Sequence, residues 1–561
     1  MVILMILYPQ RLVSKMENLR FVLIVILSMI SLMLWEAWQL DYGPQDPLTT
    51  LDSNGNPVAV VGTAANNNGS ELPFDEAVVN NSIITVTTDV FQLEIDTKGG
   101  TLRNLDLLEY SIDKGEEEKV RLLDSRSDKL FLGQSGLLTR GGLGLTKLPN
   151  HNVMLAAAKS NYTLALGAES LEVPLTWTNN QGLSYTKTYT FKRGSYAIGL
   201  SQLVNNQSAN DWEGRQYTQL LRVPHTDEKG NTFIRTYSGG VVYTEEDKYQ
   251  KIDFDDMADE DLKTKTVGGW SAMIQHYFAT AWIPPAGEEH NYFTKELSNA
   301  RFVIGSYSNL TTVAANTSLT FHNQLFIGPK IQPVMEAIAP GLELTVDYSW
   351  LTIIAKPIYA LLNWIHDNVV ANWGFAIMGV TLCIKALFFP LSAASYKSMA
   401  NMRKLQPRLA QLKESYGDDR QRFNTEMMDL YRKEKVNPMG GCLPIMVQIP
   451  VFISLYWVLI ETVELRQAPF LLWVQDLSAQ DPYFVLPVVM GITMFLQQKL
   501  NPAPVDPLQA KIMRMFPIVF TVFFLFFPAG LVLYWVTNNT LSIIQQWFIT
   551  KKIVGETPAT S

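Results

Sequence analysis

The 561 residues predict a polytopic α-helical membrane protein that also carries a large all-β sandwich. Three observations predict it. Apolar residues, 47% of the chain, gather at its two ends, in 21–35 and 373–549, and leave 41–345 polar. A hydrocarbon core ~30 Å thick needs ~20 helical residues, so both ends belong to the membrane. The polar middle alternates apolar and polar residues in short, β-branched runs, the pattern of strands with one buried face. Charge divides the same way: residues 41–348 hold 24 Lys+Arg against 38 Asp+Glu, and the rest hold 21 against 15.

Residues 1–40 read as a cytoplasmic tail and a membrane anchor. "FVLIVILSMISLMLW" follows Arg11, Lys15 and Arg20 and precedes a tryptophan pair. Basic residues mark the cytoplasmic side and tryptophans the far interface. The rival is a cleaved signal peptide, but no small-x-small site follows the run. Met16 opens "MENLRF" and is an alternative start. Residues 41–74, with "AANNNGSELP", form a flexible linker too polar to bury a core.

Residues 75–342 are the sandwich. "SIITVTTDVFQLEIDT" alternates, and Tyr185, Lys187, Tyr189 and Phe191 share one face before "KRGS" turns the chain. "GVVYTEEDKYQKIDF", "RFVIGSYS" and "NQLFIGPK" continue in this style, which predicts an antiparallel sandwich. Cys383 and Cys442 both lie in or beside apolar runs, so the sandwich has no disulfide. His151, His225, His276, His290 and His322 fit no zinc pattern, and no nucleophile elbow or P-loop occurs. No metal, cofactor or catalytic residue is assigned. The sandwich reads either as a scaffold or docking domain, or as a module with a small-ligand groove.

In 343–370 Trp350, Ile353, Ile354, Ile358, Leu361, Leu362 and Ile365 recur at helical spacing, interrupted by Lys356, Asn363, His366 and Asp367. This reads as an amphipathic helix on the outer membrane surface. The rival is a helix that closes the sandwich.

Residues 371–550 supply five further spans: 372–389, 442–461, 483–499, one built on the 12 apolar residues 516–527, and the run "LVLYWVTNNTLSIIQQWFIT". With the anchor they make six spans, both termini cytoplasmic, and 551–561 a cytoplasmic tail. The segment 391–440 carries ten Lys+Arg against six Asp+Glu, so it belongs in the cytoplasm. Within it, 391–437 reads as a helical hairpin. Met399, Met402, Leu405, Leu409, Leu412 and Tyr416 make one stripe, "GDD" breaks it, and Phe423, Met427, Leu430 and Tyr431 restart it. Its exposed basic residues include Arg403, Lys404, Arg408, Arg432 and Lys433. They make either a docking arm or a solvated structural hairpin.

Lys385 stands inside "GVTLCIKALFFP". A charge at mid-membrane costs ~2.5–3.5 kcal/mol on insertion scales, so it needs a polar environment. Thr381 lies one helical turn away. Gln448 sits between Pro444 and Pro450, and Asn538, Ser542 and Gln545 share a stripe of the last span. Together these groups make a wet cavity. The rivals are a lysine that snorkels to the nearby interface and a small-solute transporter that uses Lys385 as a coupling group. The transporter reading is weakened by the basic hairpin, the large outer domain and the absence of an evident internal repeat.

"EKVNPMGGCLPIMVQIPVF", "VELRQAPFLLWVQDLSAQDPYFVLPVVMGITMFLQQK" and "FPIVFTVFFLFFPAGLVLYWVTNN" resemble the YidC membrane protein insertases of Gram-negative bacteria. The resemblance covers nearly the whole chain. It implies an inner-membrane protein with a periplasmic β-supersandwich and a five-helix core whose hydrophilic groove opens to cytoplasm and lipid. It implies an insertase and chaperone rather than an enzyme. It implies nascent inner-membrane proteins, the Sec translocon (SecYEG) with SecDF, ribosomes, the signal recognition particle and its receptor, and membrane lipids as partners, with no nucleic-acid binding beyond ribosome contact. Lys385, Thr381, Gln448, Tyr534, Trp535, Asn538 and Ser542 are then the groove and substrate-contact residues. The family usually carries Arg at position 385, and lysine lacks the bidentate fork. It also often has Trp where Phe526 stands and a second Tyr where Trp535 follows Tyr534.

Overall fold

The computed structural model describes residues 50–51, 57–58, 82–139, 149–224, 236–416, 419–434, 443–501 and 507–551. The expected anchor, most of the linker, His225, Cys442 and nearly all of the C-terminal tail lie outside the described residues. The chain divides into two compact units, residues 1–68 with 504–512, and residues 69–503 with 513–561. In the first, Thr50–Leu51 pairs antiparallel with Pro57–Val58. The second holds everything described below except residues 507–512, the start of the helix Pro507–Phe524.

Its sandwich consists, among the described residues, of one sheet of nine strands and one of eleven. Thr317–Pro329 lies near the middle of the first, between Phe278–Ile283 and Ala197–Asn206. Trp212–Arg222 holds the middle of the second, between Arg301–Ser308 and Phe131–Thr139. Alternation set these faces. In Leu183–Lys192 every odd residue is buried, so Tyr185, Lys187, Tyr189 and Phe191 do share a face. Ser195 N–H closes on Lys192 O at 3.2 Å, and Gly194 takes φ 65°, where a Cβ is disfavoured. The chain then returns antiparallel as Ala197–Asn206. One pairing departs from the expected antiparallel pattern: Ile83–Thr87 runs parallel to Asn161–Thr163.

Alternation predicted the face of Lys187 but not its full burial. Its ammonium donates to Gly99 O at 2.7 Å and Ser135 O at 3.0 Å. Desolvation lowers its pKa from 10.5 to about 7. The unfolded chain therefore binds one more proton than the folded one between pH 7 and 10.5. Stability rises with pH across that window, and below it the contribution vanishes. We expect the full-length protein to gain about 2 kcal/mol from pH 7 to 9 through this residue. The Lys187→Met variant should lose that slope when sheet unfolding is followed by circular dichroism.

Ten α-helices are seen among the described residues. Two short ones belong to the sandwich, α1 (Phe254–Asp259) and α2 (Gln332–Ile338). The other eight are α3 (Thr352–Asn368), α4 (Trp373–Leu387), α5 (Phe389–Tyr416), α6 (Arg420–Lys433), α7 (Leu443–Glu461), α8 (Val485–Leu500), α9 (Pro507–Phe524) and α10 (Ala529–Ile549). Among the described residues no single helix is long and apolar enough to cross a membrane, but α4 and α5 together pass that test. They meet at 68°, with Phe388 between them. Pro390 follows, and its missing N–H and ring suit a helix start rather than an interior.

The stripe expected in 343–370 divides. Ile358, Leu362 and Ile365 are buried with Ala355 and Tyr359, and α3 packs against α4 and α7. Trp350 and Ile353 instead stand 76% and 87% exposed, as does Trp364 at 56%. Trp350 belongs to a preceding 3-10 turn, Ser349–Leu351, whose tighter winding shifts its phase.

Two helices do form on either side of "GDD". Leu405 and Leu409 are buried, and Arg403, Lys404, Arg408, Arg432 and Lys433 are exposed. Arg408 pairs with Glu434 across the two helices. Asp419 caps α6 by accepting the Arg422 N–H at 3.0 Å.

Candidate functional site: a polar cluster around Lys385

Lys385 lies on the last turn of α4 and is 6% exposed. Its ammonium donates to Ser542 Oγ on α10 at 2.7 Å. Ser542 in turn donates to Asn538 O at 2.7 Å, one turn back on its own helix. The Tyr396 side chain on α5 lies close to Ser542 as well. Ser542 thus sits where α4, α5 and α10 meet. Gln545 Nε2 donates to the Lys385 carbonyl at 3.3 Å, and its Oε1 is buried with no partner among the described residues. Such a lone pair calls for water.

The expected residues take three places. Lys385 and Ser542 come together as the helical spacing required, and Asn538 takes part through its backbone carbonyl. Gln448 meets a different residue, its Nε2 3.4 Å from Ser392 Oγ, which links α7 to α5. Thr381 is buried, with its hydroxyl on its own Ile377 carbonyl at 2.7 Å. Tyr534 and Trp535 stand apart from the ammonium, in an aromatic group with Phe452 and Phe524. Ring centroids are 5.4 Å from Phe452 to Tyr534, 4.5 Å from Phe452 to Trp535 and 5.5 Å from Phe524 to Trp535. Tyr396 was missed by the sequence reading, because it lies beyond the bend at Phe388 and shares no helical face with Lys385. A second polar face of α10 was also missed. Asn539 Nδ2 reaches Thr493 Oγ1 at 3.3 Å, and Gln546 Nε2 reaches Leu500 O at 3.2 Å, both on α8.

The loop between α7 and α8 joins the helices to the sandwich. Arg466 donates to Ser111 O at 2.6 Å and Ile112 O at 2.8 Å, and Gln467 Nε2 to Ser111 O at 2.8 Å. His276 Nε2 donates to Ile460 O at 3.0 Å; burial lowers its pKa to about 3, so the ring is neutral. Lys330, just past the strand Thr317–Pro329, lies 4.0 Å from Glu461 at the end of α7, and both are buried. Further along this loop Asp481 accepts from Trp473 Nε1 at 2.9 Å and from the Leu486 N–H at 2.7 Å, which fixes the start of α8. The loop also closes over the α9–α10 turn, with Leu477 O accepting the Gly530 N–H at 2.8 Å and Ala479 O accepting the Ala529 N–H at 2.7 Å.

Residues 83–361 match the model of the YidC periplasmic domain, and 364–556 match that of the 60Kd inner membrane protein. A relative named membrane protein insertase YidC, from Methylococcus capsulatus, is 55% identical over 97% of this chain and 99% of its own. Another of that name, from Nitrosococcus oceani, is 48% identical over 96% of this chain and 100% of its own. A crystal structure described as an active YidC insertase with its first transmembrane domain resolved is 18% identical, covers 83% of this chain and 92% of its own, and has a TM-score of 0.38. Two family models that tile 83–361 and 364–556, with relatives matched end to end, settle the assignment: the chain belongs to the YidC family of membrane protein insertases.

Proposed function

We propose that this chain inserts and helps fold inner-membrane proteins, alone or with the Sec translocon, by lending their polar segments a hydrated intramembrane site. The observation that carries the reading is the buried Lys385 ammonium, bound to Ser542 where α4, α5 and α10 meet, with a Gln545 oxygen left for water. A positive group in such a place attracts an acidic chain segment and lowers the cost of taking it out of water. The apolar part of the substrate leaves for lipid past Tyr534 and Trp535. Energy comes from burying that apolar part and, for acidic tails, from the membrane potential, ~2.3 kcal/mol per charge per 100 mV.

In this reading the chain has six spans with cytoplasmic termini, and the sandwich is periplasmic. The exposed Trp350, Ile353 and Trp364 support a position of α3 on the outer membrane surface. Substrate contacts are Lys385, Thr381, Gln448, Tyr534, Trp535, Asn538 and Ser542. The test is one-sided hydration. Cysteines at 381 and 448, in a background without Cys383 and Cys442, should react with a polar maleimide from the cytoplasmic face, because reaction needs thiolate and thiolate needs water. Cysteines at 377 and 378 should react much less. Comparable labelling from outside would favour an alternating-access transporter instead.

The hairpin of α5 and α6 is a docking arm for ribosomes or nascent chains, supported by exposed basic residues that include Arg403, Lys404, Arg408, Arg432 and Lys433. Replacing Arg403, Lys404, Arg408, Arg432 and Lys433 by Gln should weaken co-sedimentation with ribosomes and its salt sensitivity. Unchanged co-sedimentation would leave the hairpin a structural role only.

A further inference from the structure

A cavity of about 390 Å³ lies between the sandwich strand Lys248–Ile252 and the chain that enters α3. Its walls include Tyr249 and Lys251 on one side, and Val346, Asp347, Ser349 and Thr352 on the other. None of these residues belongs to the cluster around Lys385.

Several features distinguish it from an ordinary surface dent. Lys251 Nζ pairs with Asp347 Oδ2, and both side chains keep partial access to solvent. The same ammonium lies 4.9 Å from the centroid of the Tyr237 ring. Asp347 Oδ1 accepts the N–H of Ser349 at 2.8 Å, and Ser349 takes φ 53°, a left-handed conformation that a serine adopts only under constraint. The hydroxyl of Tyr249 is buried with no hydrogen-bond partner among the described residues. Two of the most exposed large apolar side chains, Trp350 and Ile353, adjoin Ser349 and Thr352 in sequence.

We propose that this cavity binds the phosphoethanolamine headgroup of a phospholipid. The ligand is itself a pair of opposite charges. Its phosphate takes the Lys251 ammonium and the free Tyr249 hydroxyl, and its ammonium donates to Asp347. Each protein charge that gives up its partner gains a new one, so neither is stranded. An anionic headgroup would satisfy Lys251 but leave Asp347 facing a like charge. A choline headgroup has no N–H to donate. Trp350 and Ile353 lie where the acyl chains would leave. The inference rests on the reading that α3 lies on the membrane surface.

The test uses the full-length protein. It is reconstituted in nanodiscs of equal phosphatidylethanolamine and phosphatidylglycerol, extracted, washed with detergent, and analysed for retained lipid by native mass spectrometry. The wild type should retain phosphatidylethanolamine about tenfold over phosphatidylglycerol. Asp347→Asn should abolish the preference and Lys251→Gln should release both lipids. Thr352→Phe, which narrows the cavity without touching either charge, should release both as well. Equal retention of the two lipids by the wild type, or unchanged retention by all three variants, overturns the proposal. Soluble glycerophosphoethanolamine is titrated in parallel; if it binds while no lipid is retained, the lipid source is overturned. A spin label at Ile353→Cys, with Cys383→Ser and Cys442→Ser, reads membrane contact separately through its oxygen accessibility. A label in lipid with no headgroup preference refutes the cavity site alone. A label in water refutes the surface reading of α3, and the proposal with it.

Discussion

Replacing Lys385 by alanine should reduce insertion of substrates with acidic translocated tails by about tenfold, the equivalent of ~1.4 kcal/mol of lost attraction. Neutral tails should lose much less. The substitution removes the donor to Ser542 but leaves that hydroxyl on Asn538 O, and Gln545 Nε2 keeps its bond to the backbone carbonyl of residue 385, so α4 and α10 stay joined. The effect should therefore fall on charge rather than on folding. Lys385→Arg keeps the charge and should retain insertion. The measurement is protease protection of paired substrates that differ only in tail charge, in cells depleted of the native protein. Equal loss for acidic and neutral tails would remove the electrostatic part of the mechanism.

The second large effect is expected at the junction of sandwich and helices. Lys330→Met strands the Glu461 carboxylate in a site where both groups are almost wholly buried. Breaking such a pair costs ~3–5 kcal/mol, whereas removing both charges is often nearly neutral. Lys330→Met and Glu461→Gln should each destabilise the detergent-solubilised protein by about that much, and the double variant should recover most of the loss. Thermal unfolding of the four proteins completes the cycle. Additive losses would show that the two charges do not act as a pair.

The two sites differ in how far the sequence announced them. The contact of Lys385 with Ser542 was legible because a charge in an apolar run demands partners, and helical spacing put the polar residues of the last span on one stripe. Family resemblance supplied Tyr534 and Trp535. The sandwich faces were legible where alternation was strict, as in Leu183–Lys192. Local pattern says nothing about contacts made across the fold. Lys330 and Glu461 end a strand and a helix far apart in the chain, and neither stands in any motif. Tyr396 escaped for a related reason, because the bend at Phe388 resets the helical phase that links it to Lys385. The stripe in 343–370 failed at Trp350, where one 3-10 turn rotates the side chain away from the helix that follows.

That bend has a mechanical consequence. Helix α5 leaves it as a single rod of 28 residues, ~42 Å long at the helical rise. Lys385 sits three residues before the pivot, and the far end of the rod carries the turn of the hairpin. A rotation of about 10° at Phe388 would sweep that tip through ~7 Å while displacing groups near the pivot by less than ~1 Å. The geometry of such an arm puts its fulcrum beside the buried charge, so that a small rotation there would be magnified at its end.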